Sequence, residues 1–267
     1  ERVRNLEISL VLDISGSMQG KYQTLAEGVN RVLAKMTPNE RFKIILFNNS
    51  TRELTNGFTA ATPENVRHYI HQVKSITPGS GTNLYDGLRR GLSGLDRDRT
   101  SSIILVTDGV ANVGVTAQKK FIDLLKTKDV RLFTFIMGNS ANRPLLDTLT
   151  DVSNGFAVNV SNSDDIIGQI LLAKSKVGHE ALHGVKLNIS GIKVTDVTPR
   201  NINSLYRGQQ LILFGHYFKG GEADISLSGK ISGEKKVYRT RFQFPDTALT
   251  HPEIERLWAY ATIEKAM

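Results

Sequence analysis

An apolar segment near the start of the chain ends in a group of oxygen-bearing side chains. The stretch LVLDISGSMQG (10–20) places Asp13 directly after the apolar residues, and Ser15 and Ser17 follow at a spacing of two. Three kinds of chemistry fit this group. A serine can cap a following helix, a serine can act as a nucleophile, or the oxygens can form a cradle for a divalent cation.

Two later segments carry the same types of side chain. Thr82 lies in GSGTNLYDG (79–87), and Asp108 ends the apolar run SSIILVTD (101–108). Carboxylate and hydroxyl oxygens are ligands that suit Mg²⁺ or Ca²⁺ rather than zinc or copper. If the three segments meet, they supply five candidate ligands, and at least one position of a six-coordinate ion is left for an outside ligand.

The elements that must bring these segments together alternate between strands and helices. The predicted strands are 6–13, 42–49, a short polar edge strand at 51–59, 101–108, 130–138 and 155–160. The predicted helices are 21–36, 62–76, 83–95, 116–128, 142–153 and 163–177. The central strands are continuously apolar, as expected for strands that helices cover on both faces. The pattern predicts an α/β fold with a doubly wound, mostly parallel six-stranded sheet, Rossmann-like, and a binding site at the carboxyl ends of its strands.

The pattern changes near residue 180, where strand-like segments follow one another without helices. Gly, Pro and Asn turns separate them, which predicts a small antiparallel β module. We therefore expect an α/β domain at 1–178, a β-rich module at 179–250 and the start of a C-terminal helix at 251–267. Trp258, in that last segment, is expected to be a packing anchor between modules.

The segments DISGS (13–17), SGTN around Thr82 and TDG around Asp108 resemble the metal-ion-dependent adhesion site of von Willebrand factor type A domains. The resemblance covers roughly residues 5–178, in element order as well as in motif. It implies that Ser15, Ser17 and Thr82 bind a metal ion directly or nearly so, and that Asp13 and Asp108 often act through water. It also implies that a Glu or Asp of a partner completes the coordination. The ligand-binding loops around these positions include Gly16, Met18, Gly81, Asn83, Gly109 and Asn112.

Three further segments resemble the heavy chains of inter-alpha-trypsin inhibitor and their bacterial relatives. They are NERFKIILFN (39–48), GTNLYDGL (81–88) and RLWAYATIEKAM (256–267). Members of that subgroup carry a vault-type domain before the A domain and a β-rich segment after it. The resemblance therefore implies that ERVRN (1–5) is the tail of a preceding domain and that the chain is a fragment. The absence of cysteine excludes disulfides and thiol chemistry, and it is typical of a bacterial protein.

Competing motifs point to enzymatic chemistry. HEALH (179–183) matches the H-E-x-x-H pattern of zinc peptidases, in which both histidines lie on one face of a helix. Gly178 and Gly184 bracket the motif, so we expect these residues to end the preceding helix instead. Ser15 and Ser17 lack a G-x-S-x-G elbow, and LDISGSMQGK lacks the spacing of a phosphate-binding loop. We therefore expect no enzymatic activity.

The composition restricts the remaining function classes. The formal net charge of +8 is spread along the chain, which argues against nucleic acid as a partner. The chain also lacks an apolar run long enough to span a bilayer. We expect a metal-dependent adhesion module, outside the cell or on its surface, in which an acidic residue of a protein or matrix partner bridges Mg²⁺. Ca²⁺ or Mn²⁺ are also possible ions, and an intracellular A domain that presents substrates to an ATPase is the alternative.

Overall fold

The chain divides into two compact units, Glu1–His179 and Glu180–Met267. The computed structural model describes residues 6–95, 100–108, 111–126, 130–138, 143–153, 155–160, 168–169, 172, 181–200, 202, 204–206, 210–231, 234–247 and 251–263.

The first unit alternates strands and helices. Its described strands are β1 (Leu6–Asp13), β2 (Arg41–Phe47), β3 (Thr51–Glu53), β4 (Thr59–Ala60), β5 (Thr100–Thr107), β6 (Arg131–Met137) and β7 (Phe156–Val160). Its described helices are α1 (Tyr22–Ala34), α2 (Pro63–Lys74), α3 (Leu84–Gly91), α4 (Gln118–Lys126) and α5 (Arg143–Val152), with a 3₁₀ turn at Gly16–Met18. Most of the helix predicted at 163–177 lies outside the described residues, although 168–169 and 172 are helical.

The strands form one mostly parallel sheet, in the order β3-β2-β1-β5-β6-β7, with β4 also paired to β2. β1, β2, β5, β6 and β7 run parallel, whereas β3 and β4 are antiparallel to β2. The predicted fold class is confirmed. The strand number differs, because the segment predicted as one edge strand forms two short ones, and the described sheet has seven strands instead of six.

The strand order explains where a site can form. The chain continues from β1 to β2 on one side and later returns to pair β5 with the other side of β1. The carboxyl end of β1 is therefore the topological switch point of the sheet, where the connections diverge and leave a crevice.

Each face of the sheet carries its own hydrophobic core. Leu6, Ile8, Leu10 and Leu12 of β1 pack with α1 and α2 on one face. Val11 of the same strand packs with α3, α4 and α5 on the other face. Every residue of β1 is buried, since helices cover both faces of the sheet. Full burial of an aliphatic side chain such as Leu10 contributes about 1.5–3 kcal/mol to the stability of the fold.

The second unit is an antiparallel β module, as predicted. Its described strands are β8 (Ala181–Ser190), β9 (Val194–Thr198), β10 (Leu205–Tyr206), β11 (Phe214–Tyr217), β12 (Gly221–Ile231) and β13 (Glu234–Phe244). They form a four-stranded sheet in the order β10-β8-β12-β13 and a two-stranded ribbon of β11 and β9. The helix α6 (Glu253–Ile263) follows.

Trp258 anchors α6 within this second unit. Its indole Nε1 donates to the carbonyl oxygen of Asp196 on β9 at 3.1 Å. Its ring centroid lies 4.3 Å from that of His216 on β11. These two contacts hold the helix against the two-stranded ribbon.

Candidate metal-ion site

The first part of the site is the carboxyl end of β1. Asp13 is the last residue of that strand, and its Oδ1 accepts a hydrogen bond from the backbone N–H of Ser15 at 2.8 Å. Its Oδ2 accepts one from the Thr107 hydroxyl on the neighbouring strand β5 at 2.7 Å. The hydroxyl oxygens of Ser15 and Ser17 lie 3.1 Å apart. One carboxylate and two hydroxyls therefore share this loop.

Backbone hydrogen bonds join the first loop to the loop that carries Thr82. The N–H of Gly16 donates to the carbonyl oxygen of Ser80 at 2.8 Å, and the N–H of Gly79 donates to the carbonyl oxygen of Ile14 at 2.9 Å. The backbone of Ser80 has a φ of +72°, a left-handed conformation that is uncommon for a residue with a Cβ atom.

A second set of hydrogen bonds joins Thr82 to the loop that follows Asp108. The N–H of Thr82 donates to Asn112 Oδ1 at 2.8 Å, and the N–H of Asn112 donates to the Thr82 carbonyl oxygen at 3.1 Å. Thr82 itself is buried. The structure thus joins all three predicted loops at the carboxyl edge of the sheet.

Close packing fixes the loop beside Thr82 at Gly81. The Gly81 N–H donates to the side-chain oxygen of Asn49 at 2.7 Å. A Cβ atom on Gly81 would lie 2.5 Å from that same oxygen and 2.7 Å from a methyl carbon of Val113. A side chain here therefore fits only if the side chains of Asn49 and Val113 move away.

The two carboxylates are buried and incompletely compensated. Burial raises the pKa of Asp13 above its ordinary value, even though hydrogen bonds from Ser15 and Thr107 lower it, and the nearby charge of Asp108 adds to the rise. Asp108 Oδ1 is buried without a hydrogen-bond partner. Asp108 Oδ2 lies 3.7 Å from Lys21 Nζ, a partly exposed cation.

These observations fit a divalent cation. A buried carboxylate oxygen without a partner costs free energy unless something positive or hydrogen-bonding meets it. Two carboxylates with serine and threonine hydroxyls form a donor set of hard oxygens, which suits Mg²⁺, Ca²⁺ or Mn²⁺. Within the described ranges there is no group of three or more His, Asp or Glu side chains that could hold a metal. The candidate site instead combines two carboxylates with three hydroxyls.

The other residues of the predicted ligand-binding loops have different surroundings. Asn112 is exposed, and Gly16 and Gly81 are half-buried. Asn83 caps α3, since its side-chain oxygen accepts from the Asp86 N–H at 3.2 Å. Met18 is fully buried in the core beneath the first loop, where a partner at the surface does not reach it. Gly109 lies outside the described residues.

Three supporting residues were not singled out from the sequence. Thr107 orients Asp13, Asn49 holds Gly81, and Lys21 pairs with Asp108. Thr107 occupies an ordinary strand position, so no local pattern marks it. Lys21 follows the first loop directly and could have been found from that position alone.

The H-E-x-x-H segment is not one helix. Ala181–His183 opens β8, which corrects the expectation that these residues end a helix. Nδ1 of His183 lies 2.8 Å from the hydroxyl oxygen of Ser204. His179 and Glu180 lie outside the described residues. A zinc peptidase needs both histidines on one helical face, which an extended segment at 181–183 does not provide.

The order of the strands, the switch point and the three joined loops define the class of protein. A family model described as von Willebrand factor type A domain matches residues 6–159, more than half of the chain. The chain belongs to the von Willebrand factor type A family, and this prediction is confirmed.

Comparison with individual proteins gives more distant likenesses. The chain is 28% identical to inter-alpha-trypsin inhibitor heavy chain H3 from Homo sapiens, over 97% of this chain and 32% of that protein. It thus spans about a third of the length of such curated relatives.

Two solved structures show the same fold at low sequence identity. A von Willebrand factor type A protein from Catenulispora acidiphila has a TM-score of 0.69 at 14% identity, over 92% of this chain and 67% of that one. Proximal thread matrix protein 1 from the mussel byssus, solved with a zinc-occupied MIDAS motif, has a TM-score of 0.53 at 18% identity, over 70% of this chain and 49% of that one.

No described helix is both long enough and apolar enough to cross a membrane.

Proposed function

We propose that this protein binds a divalent cation at the carboxyl edge of its sheet and, through that cation, an acidic residue of a protein or matrix partner. The observation that carries the proposal is the buried Asp108 Oδ1, which has no hydrogen-bond partner and lies at the start of the loop joined to Thr82. The raised pKa of Asp13 supports it, because a buried carboxylate pair gains most from a positive ion.

Each residue has a distinct role in this proposal. Ser15, Ser17 and Thr82 supply hydroxyl oxygens, and Asp13 and Asp108 supply the negative charge, directly or through water. With only two carboxylates, the charge of a divalent ion is not heavily overcompensated, so an added carboxylate from a partner is favourable. The protein acts by binding and needs no catalytic step.

The chemistry of the site indicates the kind of partner, and the likeness to known relatives supports the location. An exposed Glu or Asp of the partner completes the coordination, and the exposed Asn112 beside it supplies specificity. The likeness to inter-alpha-trypsin inhibitor heavy chains supports a place outside the cell or at its surface. Mg²⁺ is the expected ion because the donor set is hard oxygen. The zinc in the mussel protein makes Zn²⁺ a necessary comparison in the test.

Calorimetric titration of the metal-free protein with Mg²⁺ tests the site. Asp13→Ala is expected to weaken Mg²⁺ binding at least about tenfold, because it removes a carboxylate that binds the ion or its water. Asp86→Ala is the matched control, since that aspartate pairs with Arg89 at the surface and should leave the affinity unchanged. Equal affinity of the Asp13→Ala variant and the wild type would contradict the proposal, as would tight Zn²⁺ binding without Mg²⁺ binding.

The partner half of the proposal needs a separate measurement. A display library of peptides with and without Asp or Glu should enrich acidic members in Mg²⁺ and lose them when a chelator is added. Enrichment that survives the chelator, or that ignores acidic residues, would contradict a bridging carboxylate.

A further inference from the structure

The strand β13 forms an open edge of the second unit. It pairs with β12 along its whole length, from Gly221 opposite Phe244 to Ile231 opposite Glu234. No described strand pairs with the outer side of β13, which lies at the end of the order β10-β8-β12-β13. An edge strand of this length presents unpaired backbone N–H and C=O groups to a further strand.

One face of this sheet gathers positive charge. Lys186 of β8 lies opposite Ser228 of β12. Two residues further along β12, Lys230 lies directly opposite Lys235 of β13. Alternation along β12 and β13 therefore places Lys186, Lys230, Lys235 and Arg239 on the same face, and all four are exposed. None of these four makes an ion pair with a described residue.

The acidic residues on this face already form ion pairs with another residue of the sheet, Arg241. Arg241 pairs with Asp224 at 2.9 Å and with Glu222 at 3.4 Å. Like charges directly opposite each other, as at Lys230 and Lys235, destabilise a strand pair. An acidic strand laid beside β13 would relieve this repulsion.

The opposite face of the same strand carries exposed aromatic side chains. Tyr238 lies opposite Leu227 and Phe242 lies opposite Ala223 in the β12 register. Tyr238 and Phe242 remain 55% and 52% exposed. A strand added to this edge would therefore meet cations on one face and aromatic rings on the other.

We propose that β13 accepts an extended segment of a partner protein as an additional strand, and that this segment alternates acidic and apolar residues. Acidic side chains of the segment would face Lys235 and Arg239, and apolar side chains would pack on Tyr238 and Phe242. The edge is specific for such a segment, because main-chain hydrogen bonds, charge and apolar contacts must all match.

A second copy of the chain does not fit this edge. β13 carries four basic residues, Lys235, Lys236, Arg239 and Arg241, against the single acidic Glu234, a net charge of 4 − 1 = +3. Two such strands side by side would repel each other. The same charge that discourages self-pairing attracts an acidic strand.

The test uses the full chain and fluorescein-labelled synthetic peptides, with anisotropy as the readout and a chelator present throughout. A peptide of alternating Glu and Val should bind saturably. A peptide of alternating Glu and Pro has the same charge but cannot complete a β ladder, so it should bind at least about tenfold more weakly. Because this comparison uses wild-type protein only, it does not depend on the folding of a variant.

A charge-reversed variant locates the binding. Lys235→Glu combined with Arg239→Glu should weaken the Glu-Val peptide about tenfold, since it replaces two attractions with two repulsions. Lys193→Glu with Lys219→Glu is the matched control, because it makes the same change of charge at exposed positions outside β13 and should leave affinity unchanged.

Several results would overturn the proposal. Equal binding of the Glu-Pro peptide, or competition by dextran sulfate with no preference for the Glu-Val peptide, would show a general polyanion surface. If the Glu-Val peptide does not bind saturably, β13 is not a binding site for such a segment. A concentration-dependent dimer of the free chain, abolished by the charge reversal, would show that a second copy occupies the edge.

Discussion

At the residue scale, Lys21 places a positive charge beside the candidate metal site. Its Nζ lies 3.7 Å from Asp108 Oδ2, and its side chain is partly exposed. An ammonium at this distance offsets part of the carboxylate charge when no metal is bound. The same ammonium repels a divalent ion that binds there.

Removal of this cation should therefore strengthen metal binding. Lys21→Gln is expected to raise Mg²⁺ affinity about fivefold, a modest effect because solvent screens a partly exposed charge. Lys74→Gln is the control, since that ammonium pairs with Glu27 and not with a candidate ligand. Titration calorimetry measures both, and weaker Mg²⁺ binding by Lys21→Gln would show that Lys21 orients Asp108 instead.

Lys43 is a second informative residue, because it is buried within β2. Its Nζ donates to the carbonyl oxygens of Arg90 at 3.1 Å and Ser93 at 2.7 Å, at the end of α3. Burial lowers the pKa of Lys43 from 10.5 to about 8, although the nearby Glu53 opposes the shift.

This pKa predicts how the stability depends on pH. Between about pH 8 and 10.5 the unfolded chain holds the Lys43 proton and the folded chain has released it. The contribution of Lys43 to the free energy of unfolding must then rise with pH through this window. Denaturant unfolding of wild type and Lys43→Met from about pH 7 to pH 10 measures it, and a difference between the two proteins that stays flat would contradict the lowered pKa.

At the element scale, the site depends on how loops connect strands to helices. The first loop, the Thr82 loop and the loop after Asp108 are joined by hydrogen bonds that involve the backbone. A local change in one of these loops should therefore shift the candidate metal ligands in the others.

Gly81→Ala tests this dependence. The added Cβ atom would clash with Asn49 and Val113, so we expect about 1–3 kcal/mol of destabilisation or a comparable loss of Mg²⁺ affinity as the loop shifts. Gly79→Ala, two residues away, meets nothing within 4 Å and is the control. Thermal unfolding and Mg²⁺ titration of both variants measure the effect, and equal behaviour of the two would show that the Thr82 loop tolerates displacement.

At the scale of the whole molecule, the candidate ligands and both hydrophobic cores lie in the first unit. The cores end at Val160 and Ala157, within Glu1–His179. Residues 1–179 alone are therefore expected to bind Mg²⁺ with the affinity of the full chain. Calorimetry on the two proteins, with circular dichroism to verify folding, measures this, and a folded first unit with weaker binding would mean that the second unit contributes to the site.

The sequence alone predicts the order and type of the main elements and the positions of the candidate ligands. Buried parallel strands must be continuously apolar, and the residues that follow them must lie at one edge of the sheet. Both are local patterns, which is why the sequence alone groups Asp13 and Asp108. Thr82 follows a helix instead of a strand, so its place in the group rests on the resemblance of SGTN to the adhesion-site motif. The polar segment after β2 does not reveal its two strands, because strands of two or three residues carry little periodic signal.

The groups that support those ligands can be identified only in the folded structure. Thr107 meets Asp13 across 94 residues of sequence, and Asn49 meets Gly81 across 32. The four cations on the sheet of the second unit likewise lie on one face only because β8, β12 and β13 pair in a particular register. Such contacts arise from the pairing of distant strands, and a shift of one residue would turn each side chain to the other face. No local pattern in the sequence specifies that register.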